Sequence, residues 1–305
     1  RGPTNDGRRK PEIYSPGCSI RSASASSSCS STSLTGTSMA APSIAGSAAL
    51  VRQYYTEGFY PSGAANPSDA FIPSGALMKA TLLNSTVDMT GISGYPSNRE
   101  GWGRVLLHNT LVFDDDTRNL IIRDVRNNSN EALNTGDSFE MTFDVNSLFE
   151  PLKITLVWHD PPGAVNANPA YVNDLNLTLI GPTGEFKGNV FSNGISATGG
   201  TYDFRNNVEM IYFPATAAGE YTLRVDAAAV NVGAQGYAIV ISGDVSESNP
   251  CTADWNGDGV LDFFDVLAFL DDFSNANPAA DLNSDGELNF FDVLSFLDQF
   301  SAGCP

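Results

Sequence analysis

The strongest constraint on the fold is a duplication near the C-terminal end. "DWNGDGVLDFFDVLAFLDDFS" starts at Asp254 and "DLNSDGELNFFDVLSFLDQFS" starts at Asp281, an offset of 27 residues. Repetition this close implies two equivalent structural units. Each copy places side-chain oxygens at loop positions 1, 3, 5, 9 and 12. These are Asp254, Asn256, Asp258, Asp262 and Asp265, then Asp281, Asn283, Asp285, Asn289 and Asp292. Gly259 and Gly286 stand at position 6, where such a loop turns sharply, and Val260 and Glu287 offer main-chain carbonyls at position 7. Oxygen sets of this kind hold hard cations, so the pattern points to Ca2+, with Asp replacing the usual Glu at position 12.

No helix-forming segment precedes Asp254, because "SESNPCTA" is turn-like. Each unit therefore reads as loop then helix. In this, residues 251–305 resemble the dockerin domain, and "DGVLDFFDVLAFL" is also similar to tails of secreted planctomycete proteins. The resemblance implies a small all-α, tandem EF-hand calcium module that docks onto a cohesin-like partner. Dockerins commonly carry small polar residues at loop positions 10 and 11, where this chain has Phe263-Phe264 and Phe290-Phe291. At least one ring of each pair is expected to fill the small core, and attachment to a cell surface stands beside a cohesin-like partner as the role of the tail.

Charge separates this tail from the rest. Residues 1–113 carry nine Lys/Arg and six Asp/Glu, residues 114–250 carry seven and eighteen, and residues 251–305 carry none and eleven. An acidic block interspersed with Asn and Gly suits cations and repels nucleic acid. The 305 residues leave room for two or three domains, and no apolar run approaches the roughly 20 residues that cross a bilayer. Arg1 opens inside domain-like sequence with no signal-peptide pattern, so the chain reads as the C-terminal part of a longer protein. The cysteines fall in two pairs, Cys18 with Cys29 and Cys251 with Cys304, the second bracketing the tail. That arrangement leads us to expect two disulfides and a secreted or extracellular location; four free thiols are the alternative.

Between the ends lies a zone of strands. "SFEMTFDV", "LKITLVW", "DLNLTLI", "VEMIYF", "EYTLRVDA" and "GYAIVISG" are separated by turn signals such as "GPTGE" and "TAAGE". Short strands with regular breaks predict an antiparallel β-sandwich, jelly-roll-like, over 113–245, with a linker at 246–250. Upstream, Met39 to Tyr54 is small and apolar almost all round and reads as a buried helix with Pro42 in its first turn. Ser74 to Leu83 reads as a second helix with Ser74 as its N-cap. The Ser-rich stretch from Ser19 to Ser33 reads as a surface loop.

"LTGTSMAAPSIAG", Leu34 to Gly46, puts Ser38 where a loop enters the first of these helices. A helix start offers unpaired N–H groups and positive potential to a developing oxyanion, and Gly36 allows close approach. This segment resembles the Gly-Thr-Ser-Met-Ala motif around the nucleophile of subtilisin-like serine proteases (subtilases). "GPTNDGRRKPEIYSPG", "PSGALMKATLLNST" and "GWGRVLL" are similar to flanking stretches of the same α/β domain, here 1–112. Departures are Glu12 in place of Asp, Thr35 where Ser is common, and Ser43 where the family often has His. The resemblance implies a serine endopeptidase acting on protein or peptide substrate, with Ser38 as nucleophile and its N–H in the oxyanion hole. "PLKITLVWHDPPG", "VNDLNLTLIGPTGE" and "NNVEMIYF" resemble the sandwich that follows the catalytic domain in one bacterial branch, which braces that domain and often holds calcium. Asp160, Asp174, Asp203 and Glu209 are the metal candidates there, with turn and cap carboxylates as the alternative reading.

A subtilase triad runs Asp, His, Ser along the chain, yet no His precedes Ser38. His108 lacks the His-Gly-Thr context. His159 sits on an expected strand, where its neighbour Asp160 would point to the opposite face. The chain alone is therefore expected to be inactive. A non-catalytic, calcium-binding adhesion or scaffold protein with a degenerate protease remnant is the alternative.

Overall fold

The computed structural model describes residues 1–25, 27–89, 91–247, 253–256, 261–283 and 285–303. The chain forms two compact units, 1–247 and 248–305.

The first unit opens with a hairpin, β1 (Ile20–Ala23) and β2 (Ser31–Leu34), pairing Ile20 with Leu34 and Ala23 with Ser31. Two helices follow, α1 (Thr37–Thr56) and α2 (Gly75–Asn84), then a short pair, β3 (Thr86–Val87) and β4 (Arg104–Val105). The remaining strands are β5 (Asn119–Asp124), β6 (Ser138–Val145), β7 (Leu152–Val157), β8 (Asn173–Gly181), β9 (Gly184–Ser192), β10 (Ile195–Thr198), β11 (Val208–Phe213), β12 (Gly219–Val230), β13 (Ala238–Gly243) and β14 (Val245–Glu247). They form a six-stranded sheet, ordered β10-β9-β8-β12-β6-β14, and a four-stranded sheet, ordered β11-β7-β13-β5. All their pairings are antiparallel.

Strand alternation decides how the layers stack. Ile154, Leu156, Ile211, Ile239 and Ile241 point from the small sheet into a core shared with Leu175, Leu177, Leu179, Leu223 and Val225 of the large one. Their neighbours Val157, Val208, Met210, Ala238 and Val240 point the other way, onto Val51, Tyr55, Leu77 and Ala80 of the helices. The small sheet is thus covered on both faces, and every residue of β7 and β13 is buried. Residues 1–112 and 113–247 consequently share one compact unit, with no packing break at 112. Of the expected linker, Ser246 and Glu247 belong to β14 and pair with Asp144 and Phe143; residues 248–250 lie outside the described residues.

The second helix forms as expected. Ser74 has extended backbone, and its Oγ accepts the Leu77 N–H at 3.0 Å. The first helix differs from expectation. Only Val51, Tyr54 and Tyr55 of α1 are buried, all in its C-terminal half, which packs on α2. Its small apolar first half has no covering layer among the described residues.

In the second unit, α3 (Phe263–Ser274) and α4 (Phe290–Ala302) flank a short turn at Pro278–Ala280. Both helices start with a capping box, Asp262 with Asp265 and Asn289 with Asp292. Phe269 and Phe296 stack at 4.2 Å and make the core with Ala253, Ala280 and the edge of Trp255. Against the expectation that at least one ring of each pair fills the core, all four are exposed: Phe263 65%, Phe264 63%, Phe290 70% and Phe291 64%. The capping boxes fix them in the first half-turn, off the face that carries Val266, Phe269 and Phe273.

Candidate active site

Ser38 lies in the first turn of α1 and is exposed. The turn is built by a glycine crossing. Gly36 donates its N–H to the Gly17 carbonyl at 2.8 Å, and a Cβ at Gly17 would come within 2.8 Å of the Gly36 oxygen. The Gly36 carbonyl then accepts the Met39 N–H at 3.0 Å. No side chain caps this helix, and its first turn holds no acid. The helix end therefore keeps its positive potential, and the N–H of Ser38 has no partner among the described residues. Its Oγ makes no hydrogen bond among them either.

The segments similar to flanking subtilase stretches are tied in firmly. Glu12 bridges Lys10 at 2.5 Å and Lys79 of α2 at 2.7 Å. Trp102 is fully buried, donates to Asn189 at 3.4 Å, and carries the Arg9 guanidinium 4.6 Å above its ring.

Neither histidine is joined to Ser38. His108 sits in a short turn, Leu107–Asn109, whose carbonyl at 108 accepts from Arg118. His159 lies just past β7 with its ring against Gly75, and burial together with the Lys79 charge holds it below the usual histidine value. Asp160 does not orient it, because its two oxygens accept the Val172 and Asn173 N–H groups at 2.9 and 2.6 Å.

The remaining acids of the β layers divide. Asp203 is a turn carboxylate, taking N–H groups of Arg205 at 2.9 Å and Asn206 at 3.3 Å, and side-chain amides of Asn189 and Asn206. Glu209 is fully buried. One oxygen accepts the Leu177 N–H at 2.7 Å and the other has no partner among the described residues. Burial, then nearby Asp203 and Asp174, push its carboxyl well up. Burial, then Asp203 and Asp160, push Asp174 up to about 6. Among the described residues no three acids, histidines or cysteines are grouped to hold a metal.

In the second unit, the loop at 281–292 wraps its own main chain. Asp281 accepts the Asp285 and Gly286 N–H groups at 3.1 and 2.8 Å, with Gly286 at φ +85°. Asp292 is buried and accepts N–H groups of Asn289 and Asn283 at 2.8 and 3.3 Å, which hold its carboxyl below the usual range. Asp265 takes the same two roles with Asp262 and Asn256. Asp258 and Val260 lie outside the described residues, as do Cys251 and Cys304. The expected Cys18–Cys29 disulfide is absent, and both thiols are free and exposed. Cys18 precedes the open end of the β1–β2 hairpin and Cys29 lies in its turn, so their separation is roughly 13 Å or more, beyond the reach of a disulfide.

Two groups escaped sequence patterning. Lys153, inside the apolar run of β7, is buried, and so is the polar side chain of Asn84, at the end of α2. The only sequence signal for Lys153 is a charge within an otherwise apolar strand.

Comparison with known proteins adds three findings. Residues 1–103 match the model of the Subtilase family. The chain is 31% identical over 265 residues to a Dictyostelium discoideum protein described as serine protease/ABC transporter B family protein tagA, covering 79% of this chain and 15% of that protein. The related tagD is 31% identical over 307 residues, covering 81% and 17%. The chain thus spans about one-sixth of the length of these relatives. Among solved structures, a serine protease of Aeromonas sobria aligns over 71% of this chain and 46% of its own, at 15% identity and a TM-score of 0.22. By sequence, the segment that carries Ser38 is similar to the Subtilase family, and most of the chain is similar to proteins described as serine proteases.

Proposed function

We propose that this chain carries the nucleophile of a subtilisin-like serine endopeptidase, and that Ser38 attacks the scissile carbonyl of a protein or peptide substrate. The observation that carries this reading is the exposed Ser38 Oγ, without a hydrogen bond among the described residues, on an uncapped helix start inside the segment similar to the Subtilase family. Attack forms a tetrahedral intermediate, whose oxyanion is met by the Ser38 N–H and the positive helix end. Collapse expels the amine and leaves an acyl-enzyme that water hydrolyses. The proton acceptor is a histidine outside these residues, since neither His108 nor His159 reaches Ser38. The small sheet packed behind α1 and α2 supports a bracing role for the β layers. A fluorophosphonate probe tests the reading. The longer protein should label at Ser38, Ser38→Ala should abolish the label, and this chain alone should label about 10⁴–10⁶-fold more slowly. Robust labelling of the chain alone would refute the missing base, and an unlabelled longer protein would favour a non-catalytic scaffold.

The loops at 254–265 and 281–292 are calcium sites in this reading. The buried Asp265 and Asp292 have no Lys or Arg anywhere in residues 251–305 to balance them, and the donor set is all oxygen. Calcium would supply that missing positive charge and stiffen the loops. EF-hand loops span nanomolar to millimolar calcium affinities, and the weak end of that range suits a protein outside the cell, the location proposed here. The exposed Phe263, Phe264, Phe290 and Phe291 then form the surface for a cohesin-like or cell-surface partner.

A further inference from the structure

Lys153 is the second residue of β7, in the sheet that is covered on both faces. Its side chain is 7% exposed and stays within the protein. The ammonium nitrogen donates to the Thr86 carbonyl and lies 4.9 Å from the centre of the Tyr212 ring. No carboxylate pairs with it among the described residues. Asp116 and Glu150 flank Arg118 instead, at 3.6 and 3.8 Å, and Asp88 hydrogen-bonds Glu100. Lys153 lines a cavity of about 540 Å³ together with Tyr95, Tyr212 and His108, and the charged Asp88, Asp116, Arg118 and Glu150 line the same cavity.

We propose that Lys153 is a second reactive centre, a carbonyl-reactive amine that condenses with small aldehydes or ketones entering this cavity. A buried amine without a counter-ion favours its neutral form, the form that carries a nucleophilic lone pair. Burial accordingly pushes this amine down to about 7. The lone pair attacks the carbonyl carbon and forms a C–N bond as the carbonyl electrons move to oxygen. That oxygen takes one proton from nitrogen to give a carbinolamine. Loss of the oxygen as water, with the second amine proton, leaves an imine. No oxidant or reductant is consumed. The site is independent of the Ser38 reading.

The test treats the full chain with propanal and cyanoborohydride, which traps the imine by hydride, and maps alkylated lysines by peptide mass. At pH 7 an ordinary lysine is about 0.04% neutral and Lys153 about half neutral, a ratio of order 10³ before hindered access is counted. Lys153 should therefore be alkylated at least about tenfold faster than Lys10 or Lys187. Its rate should rise through pH 7 and level off by about 9. Lys153→Met should remove that fast site and leave Lys10 and Lys187 unchanged. Alkylation of Lys153 no faster than that of Lys187, or a rate still rising above pH 9, overturns the proposal. The wild-type comparison decides it even if the variant misfolds.

Discussion

Replacing Asn84 with alanine should cost unit 1–247 about 3–5 kcal/mol, an expectation that follows bond by bond. Asn84 is 1% exposed at the end of α2. Its amide donates to the carbonyls of Lys153 at 3.0 Å and Val240 at 3.1 Å, and to Thr155 Oγ1 at 3.3 Å. Its oxygen accepts the hydroxyls of Thr110 at 2.8 Å and Ser242 at 2.7 Å. In the alanine variant those two hydroxyls, 0% and 4% exposed, lose their acceptor, at about 1–3 kcal/mol each. The two carbonyls lose less, because they sit in a paired ladder. A domain is typically stable by about 5–15 kcal/mol, so the loss should be plain in urea unfolding followed through buried Trp102 and Trp158. A loss under about 1 kcal/mol would refute the claim that this side chain clamps α2 to the sheet. Asn84→Asp adds a second check. It faces three acceptors with an anion, so its folded pKa is raised. The variant should be near its best below about pH 4, and it should lose stability as pH rises through the folded pKa.

Ser38→Ala should shift stability by less than about 0.5 kcal/mol in the same assay, because its Oγ is exposed and makes no hydrogen bond among the described residues; a larger loss would mean that Ser38 is a structural residue. Lys153→Met should stabilise the unit relative to wild type near pH 6–7. The folded pKa of Lys153 is depressed, so burying its charged form destabilises fully below about 7, and the advantage of methionine should fade toward pH 10; a pH-independent difference would contradict this. Calcium at about a hundredfold excess over its dissociation constant should stabilise the tail by about 2.7 kcal/mol per occupied site, read through Trp255, and Asp265→Ala with Asp292→Ala should abolish the gain. No heat of calcium binding in calorimetry would remove the metal reading.

What could be read from the sequence was local. The Ser74 cap depends on two residues three positions apart, Ser74 and Leu77, whereas the crossing of Gly17 and Gly36 joins residues far apart in the chain and showed only in the structure. The errors share a different origin. Small apolar residues on every side of α1 say which contacts it suits, but not whether this chain supplies them. One ring of each Phe pair is expected in the core, although helical spacing from Val266 through Phe269 and Phe273 already defines another face. Cys18 and Cys29 were paired by count, and the hairpin that separates them is not visible in a count.

The β7 segment shows why the site and its support are one problem. "LKITLV" alternates weakly, and a two-layer sandwich would put Lys153 and Thr155 on a wet face. In the structure that face meets α2, since Val157, Val208 and Val240 lie against Leu77, Ala80 and Leu83. A strand buried on both sides needs apolar residues throughout or polar ones with partners. Thr155 and Ser242 find Asn84, whereas Lys153 finds, among the described residues, only a carbonyl and a ring. The helical layer that leads back to Ser38 is therefore held to the sheet by α2, and the same burial leaves one amine without a counter-ion among the described residues. The clamp at Asn84 and the reactivity of Lys153 are two consequences of a single packing decision, made where the small sheet turns its second face to the helices.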